Sequence, residues 1–271
     1  MLRRSLILTA AVLALAASGA QAHDTWFRPL IAVPGAPRVE LALGTGNRYP
    51  VQETGVGAEY LERQGCQGLD GQAAERPMQP ARNIDHALVL RLPLAAARCW
   101  AQLVPLDIEL EPAKVAEYLQ EVQAPPALRA AWRDMQSRGL PWRERYTKHA
   151  RIDLVPDAAG APAVQVPMAM DIVRLAGEGG GLVFQVLHGG APLAQQAMEL
   201  ISEAGTRGIW RRTDAHGRIE FPALPAGRWL LRGTLLRLAD EDPTRWDSGF
   251  VTLAFEVAVT PPARALRSAA R

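Results

Sequence analysis

Cysteine is scarce in this chain: there are two, Cys66 and Cys99, among 271 residues. Neither has another cysteine or a histidine at close ligand spacing, which weighs against a thiolate metal pair. An excess of charge is also missing. Against 30 basic residues stand 28 acidic ones, and two of the arginines fall within the first 22 residues, which hold no acid. The remainder is formally neutral, so it has no basic field to draw nucleic acid or anionic lipid. Beyond the N-terminus no apolar stretch reaches the roughly 20 residues that cross a bilayer as a helix. No Gly-x-Ser-x-Gly elbow is present, and Ser202 and Ser248 have no partner spacing that marks a nucleophile. The clustered acids Glu109 and Glu111, or Asp240, Glu241 and Asp242, read as turn residues facing water. The stretch Gly177-Glu-Gly-Gly-Gly181 is followed by a strand rather than a helix, which excludes a phosphate loop. No internal repeat stands out. These absences argue against an enzyme. At 48% hydrophobic, with 23 Gly and 21 Pro, the chain is folded and turn-rich rather than disordered.

What is present begins at the N-terminus. Arg3 and Arg4 precede an apolar run from Leu6 to Ala17, and Ala20-Gln21-Ala22 offers small residues at a cleavage site. Residues 1–22 therefore read as a secretory signal, and the expected location is the periplasm. Cleavage after Ala22 leaves His23 first. A terminal histidine carries a free α-amine and an imidazole, which together can close a chelate ring on a metal. The apolar residues Trp26, Phe27, Leu30, Ile31 and Val33 are expected to anchor that terminus. In an oxidising compartment Cys66 and Cys99 are expected to form a disulfide. It would close a loop of about 34 residues, valued at roughly 3–4 kcal/mol by the chain-entropy model.

A mature chain of about 250 residues suits two modest domains. From Arg38 the pattern Val-Glu-Leu-Ala-Leu alternates as a half-buried strand does. Ala87 to Leu92 and Arg98 to Val104 are further strands, and residues 71–83 read as a loop. Pro112 opens a helix with Val115, Tyr118, Leu119 and Val122 on one face, and Ala127 to Arg138 forms a second with Leu128, Trp132 and Met135. Strands resume near Pro167, at Leu182–Leu187, Ala197–Ile201, Gly208–Arg212, Arg218–Phe221, Arg228–Leu236 and Phe250–Val259. Hairpin turns fall at His188-Gly-Gly190 and Asp214-Ala-His-Gly217. The expected fold class is mainly β, with two antiparallel β-sandwich domains and a helical insert between them. The boundaries are 23–110 for the N-terminal sandwich, 111–166 for the insert and linker, 167–260 for a C-terminal Greek-key sandwich and 261–271 for a tail. Of the seven tryptophans, Trp100, Trp132 and Trp229 are expected in the core.

These motifs resemble a known set. The opening from Ala22 to Phe27, Ala-His-Asp-Thr-Trp-Phe, is similar to the mature start of the exported bacterial family called domain of unknown function 4198. The run from Arg143 to Ala150, Arg-Glu-Arg-Tyr-Thr-Lys-His-Ala, resembles its central signature. Pro192-Leu-Ala194, Thr213 to Gly217 and Trp246 to Phe255 resemble its C-terminal domain, so the likeness covers nearly the whole chain. Asp-Thr-Trp-Phe stands here where Asp-Phe-Trp-Leu is common. The resemblance implies immunoglobulin-like or carboxypeptidase-regulatory-like sandwiches and a place beside cobalt and nickel uptake systems.

A metal on His23 needs further donors. His149 lies in the central signature and is the first candidate, although Lys148 beside it would oppose a cation. His86 is another, and Asp24 can add an oxygen or orient the imidazole. His188 and His216 sit in turns and are expected to face water. Amine and imidazole nitrogens suit Cu(II), Ni(II), Co(II) and Zn(II); the terminal-histidine chelate favours copper, and the resemblance implies nickel or cobalt. The expected role is metal capture or delivery beside a membrane transporter. The alternatives are a docking or spacer module without metal and a terminal-histidine copper oxygenase. The oxygenase is disfavoured because no flat aromatic substrate surface can be read.

Overall fold

A computed structural model of the chain describes residues 24–30, 40–68, 76–93, 95–155, 166–177, 181–205 and 207–258. The expected signal segment 1–22, His23 and the tail 261–271 lie outside the described residues. The first part holds strands β1 (Asp24–Pro29), β2 (Glu40–Gly46), β3 (Thr54–Gly55), β4 (Leu61–Gln67) and β5 (Gln79–Ile84). It continues with β6 (Ala87–Arg91), β7 (Arg98–Leu103) and β8 (Leu106–Leu110). Helices α1 (Pro112–Glu121) and α2 (Pro126–Ser137) follow, then the long strand β9 (Trp142–Asp153). After it come β10 (Met170–Leu175), β11 (Leu182–His188), β12 (Ala191–Pro192), β13 (Ala197–Ser202) and β14 (Ile209–Arg212). Strands β15 (Arg218–Phe221), β16 (Gly227–Leu238) and β17 (Trp246–Val257) end the described chain. The fold is mainly β, as expected.

The strands form three sheets. Five of them make a sheet in the order β1-β2-β6-β5 with β3 beside β2, and four make another in the order β10-β11-β12 with β15 on β11. The largest has eight strands, ordered β14-β13-β16-β17-β9-β7-β4, with β8 also on β9. Every pairing is antiparallel except that of β9 with β17. This large sheet draws on both halves of the chain, and β9 joins them. Residues 142–153, expected in the insert and linker, are a central strand.

Its centre is buried on both faces, so its strands read as continuous apolar runs rather than as alternation. On β16 and β17, Leu230 and Ala254 pack with Trp26, Leu41, Leu43 and Leu90 of the five-stranded sheet. Their neighbours Leu231, Leu253 and Phe255 pack the other way, against Ile172, Phe184 and Phe221 of the four-stranded sheet. Strand β2 is likewise not half-buried: Leu41, Ala42 and Leu43 are all fully enclosed. The segment after it folds back, and Gln52 Nε2 donates to the carbonyls of Trp26 and Ala42 at 3.0 and 3.2 Å. Part of the expected loop 71–83 is the strand β5; residues 71–75 lie outside the described residues. Its polar side chains are mostly exposed because it forms the edge of its sheet.

The helices match their periodicity. Pro112 opens α1, whose Val115, Tyr118 and Leu119 are buried, and α2 buries Trp132 and Met135. They pack over Trp142 and Trp246, which stack with centroids 4.4 Å apart. Trp100 and Trp229 are core residues too. Among the described residues no helix is long and apolar enough to cross a membrane.

Cys66 and Cys99 form a disulfide across directly paired positions of β4 and β7. It closes a loop of 33 residues' separation, so Cys66→Ser with Cys99→Ser is expected to lower unfolding free energy by about 3–4 kcal/mol. Urea denaturation of the oxidised parent and the double variant measures this. A difference under about 1 kcal/mol would remove the disulfide from the main supports of the fold.

Candidate functional site

The described chain begins at β1, which is held along its length. Its six residues pair with β2, from Asp24 opposite Gly46 to Pro29 opposite Leu41. Trp26 and Phe27 are 0% and 1% exposed, so the expected anchoring holds at these residues; Ile31 and Val33 lie outside the described ones. Polar contacts fix the strand's beginning. Thr25 Oγ1 meets Thr45 Oγ1 at 2.8 Å, and Thr252 Oγ1 donates to the Thr25 carbonyl at 2.6 Å.

Asp24 is buried, and its Oδ2 accepts a hydrogen bond from Arg232 Nη1. Arg232 Nε donates in turn to Glu199 Oε2 at 2.8 Å. Burial disfavours the Arg232 charge, but the two carboxylates beside it outweigh that and raise its pKa above the ordinary arginine value. The three residues edge a cleft of 620 Å³ that Glu117, Glu121 and Arg48 also line. That lining holds four carboxylates and two guanidinium groups, so it favours a cation. Lys148 is near as well. Burial lowers its ammonium pKa to about 8, and the charge of Asp24 opposes that fall.

His149 points away from this cleft. Side chains alternate along a strand: Ala150 and Ile152 face the five-stranded sheet, while Arg151 reaches Asp171 in the four-stranded one. His149 shares the side of Arg151 and lines a separate cavity of 220 Å³ with Met170 and His188. The structure does not bring it to the start of β1, because the eight-stranded sheet lies between them. Nor is it a surface residue of a linker; it is 1% exposed. Its Nδ1 lies 3.0 Å from the Phe250 carbonyl. A carbonyl only accepts, so Nδ1 carries the proton and Nε2 the lone pair. That Nε2 is buried with no partner among the described residues. Burial lowers the ring's pKa to about 4, which leaves it neutral at neutral pH.

The other described histidines are exposed. His86 sits exposed in the turn between β5 and β6, with its carbonyl against Gly44 of β2. His188 precedes Gly189-Gly190, whose φ values of 57° and 79° suit a tight primed hairpin turn. His216 lies in the turn that Asp214 caps, its N–H donating to Asp214 Oδ1 at 2.8 Å. Both turn histidines thus meet the expectation of facing water. Among the described residues no group of three or more His, Cys, Asp or Glu side chains is placed to hold a metal ion.

Two buried charged clusters escaped the sequence reading. Glu144 is 1% exposed and accepts from Tyr118 Oη at 2.9 Å, from Ser248 Oγ and from Trp142 Nε1 at 2.8 Å. Desolvation raises its pKa, against the pull of those three hydrogen bonds. Arg151 Nη1 holds both oxygens of Asp171 at 3.0 and 2.8 Å, and its Nε reaches Asp153 at 3.3 Å. In sequence, both look like the polar positions of an exposed strand. No family model matches the chain, and no curated protein matches it.

Proposed function

We propose that the chain is a periplasmic carrier of a divalent transition metal, held by the α-amine and imidazole of His23 beside the acid-rich cleft. The observation that carries this is the fixed start of β1, where Asp24 is buried and ion-paired to Arg232. Asp24 edges that cleft, and the proposed chelating residue precedes it directly in the sequence. Carboxylates of Glu117, Glu121 and Glu199 line it; they favour a cation and offer oxygen donors. His149, on the other face of the eight-stranded sheet, takes no part. The nitrogen donors suit nickel, cobalt or copper. Metal capture or delivery beside a membrane transporter, rather than catalysis, agrees with the resemblance to the domain of unknown function 4198 family. Sandwich domains of immunoglobulin-like or carboxypeptidase-regulatory-like type would be the scaffold that fixes the terminus.

The exported protein is expected to have the intact mass of a chain starting at His23. It is expected to bind Cu(II), Ni(II) or Co(II) tightly in calorimetry. Protons must leave an amine of pKa about 8 and an imidazole of about 6.5, so affinity should fall steeply in acid. His23→Ala removes the imidazole donor and should weaken binding by about 100-fold, or some 2.7 kcal/mol. Unchanged affinity in that variant overturns the proposal. A docking module is the second reading, favoured by Ile209 and Trp210, which are 42% and 38% exposed on the edge strand β14.

A further inference from the structure

The cavity beside His149 is built on one face of three neighbouring strands. Arg145 lies opposite Asp247, and Thr147 opposite Gly249, in the parallel register of β9 and β17. Arg237 lies opposite Asp247 from the other side, on β16. By strand alternation these side chains share the face of His149. Arg245, just before β17, lines the same 220 Å³.

Most of the polar atoms there are satisfied, and the remainder form a pattern. Asp247 accepts from Arg237 Nη2 and Arg245 Nη2, each at 3.3 Å, and Arg237 Nη1 donates to Asp240 at 2.7 Å. Arg145 makes no ion pair among the described residues, although Asp107 lies opposite it on β8. Arg245 Nε is a buried donor without a partner, and His149 Nε2 a buried acceptor without one. The lining therefore combines three guanidinium groups, one carboxylate and the exposed His188 imidazole with a buried His149 nitrogen that can only accept. Guanidinium groups select an oxyanion. The His149 lone pair favours an ion that brings its own hydrogen. Sulfate has none at neutral pH, whereas inorganic phosphate always keeps at least one P–OH there. A phosphate monoester, with a second pKa of about 6, has largely lost its own.

We infer that this cavity is a binding site for inorganic phosphate, in which Arg145 and Arg245 hold the anionic oxygens and His149 Nε2 accepts the P–OH hydrogen. The site is separate from the cleft edged by Asp24, being on the other face of the sheet.

Calorimetric titration of the metal-free mature protein near pH 8 with phosphate, sulfate and methyl phosphate tests this. Phosphate is expected to bind, with sulfate and the dianionic ester about tenfold weaker, because each leaves the buried acceptor unpaired. Arg145→Met, at an exposed position, should weaken phosphate while leaving thermal unfolding unchanged. His149→Phe should abolish the preference for phosphate over sulfate. If His149→Phe does not fold, a shift of the His149 Nε2 nitrogen resonance of the parent on adding phosphate, and not on adding sulfate, takes its place. No phosphate binding, equal binding of sulfate, or an Arg145→Met variant that binds like the parent each overturns the inference.

Discussion

Arg151→Ala is expected to destabilise the protein by about 3–5 kcal/mol, because it leaves a buried carboxylate without its counter-charge. Arg151 and Asp171 have side chains only 2% exposed each, and they join β9 of the eight-stranded sheet to β10 of the four-stranded one. Burial raises the Asp171 pKa even with the guanidinium in place; without it the carboxyl should rise further. A carboxyl whose folded pKa is raised binds a proton that the unfolded chain has released. Its favourable contribution is complete below the unfolded value of 3.8 and is lost as pH rises through the folded pKa. The deficit of Arg151→Ala against the parent should therefore shrink as pH falls from neutral. Replacing the pair together, as Arg151→Met with Asp171→Leu, removes both charges and leaves Asp153 with Arg98 as its nearby counter-charge, so it should recover part of the loss. Denaturant titrations of the three proteins at several pH values measure this. A loss under about 1 kcal/mol in Arg151→Ala would show that the pair does not hold the two sheets together.

The same pair explains part of what the sequence concealed. In β9 the polar residues Glu144, His149 and Arg151 look like the wet side of a surface strand. They are buried because their partners come from elsewhere: Ser248 lies 104 residues from Glu144, and Asp171 lies 20 residues from Arg151. No local pattern carries that information. The helices needed no such partners. Proline at their starts and apolar residues at helical spacing are local signals, and both helices appear where those signals stand. Strand β2 shows a third situation, since its alternation was real but its exposed face is covered by the turn that carries Gln52.

The candidate site was legible to a similar depth. The apolar residues after Asp24 announced a fixed strand. The ion pair that fixes Asp24 comes from Arg232, 208 residues away. His149 drew attention through its neighbours in the Arg-Glu-Arg-Tyr run, yet strand parity turns it from the terminus. Ala150 and Ile152 are the apolar alternate positions that pack under β1's sheet, so His149 must face the other way. Parity was available in the sequence once residues 142–153 were recognised as one strand. The basic cavity follows from the same parity, extended across three strands whose register only the fold supplies.

Glu144→Ala should be the other large loss, again about 3–5 kcal/mol. It strands the Tyr118 hydroxyl, the Trp142 indole N–H and the Ser248 hydroxyl in the interior, at about 1–3 kcal/mol for each unmet group, and leaves a void. Those donors belong to α1, β9 and β17, so the carboxyl ties the helical layer to the large sheet. Glu144→Gln keeps the volume and one acceptor and should cost less. It also isolates the pH dependence. Burial raises the Glu144 pKa above 4.5 in the folded state, so its contribution is complete below that value and is lost as pH rises through the folded pKa. His149 acts in the opposite sense. Its pKa falls from 6.5 to about 4 on folding, so the stability it confers is present above 6.5 and lost as pH falls toward 4. The parent's own pH profile therefore mixes two opposed slopes and identifies neither group. Subtracting the unfolding free energy of Glu144→Gln from that of the parent cancels His149 and leaves the carboxyl. That difference should decline as pH rises from 4.5 through the folded pKa of Glu144. A difference that stays flat across that range would mean that Glu144 is ionised in the folded protein as readily as in the unfolded chain, and that its three hydrogen bonds offset the whole of its desolvation.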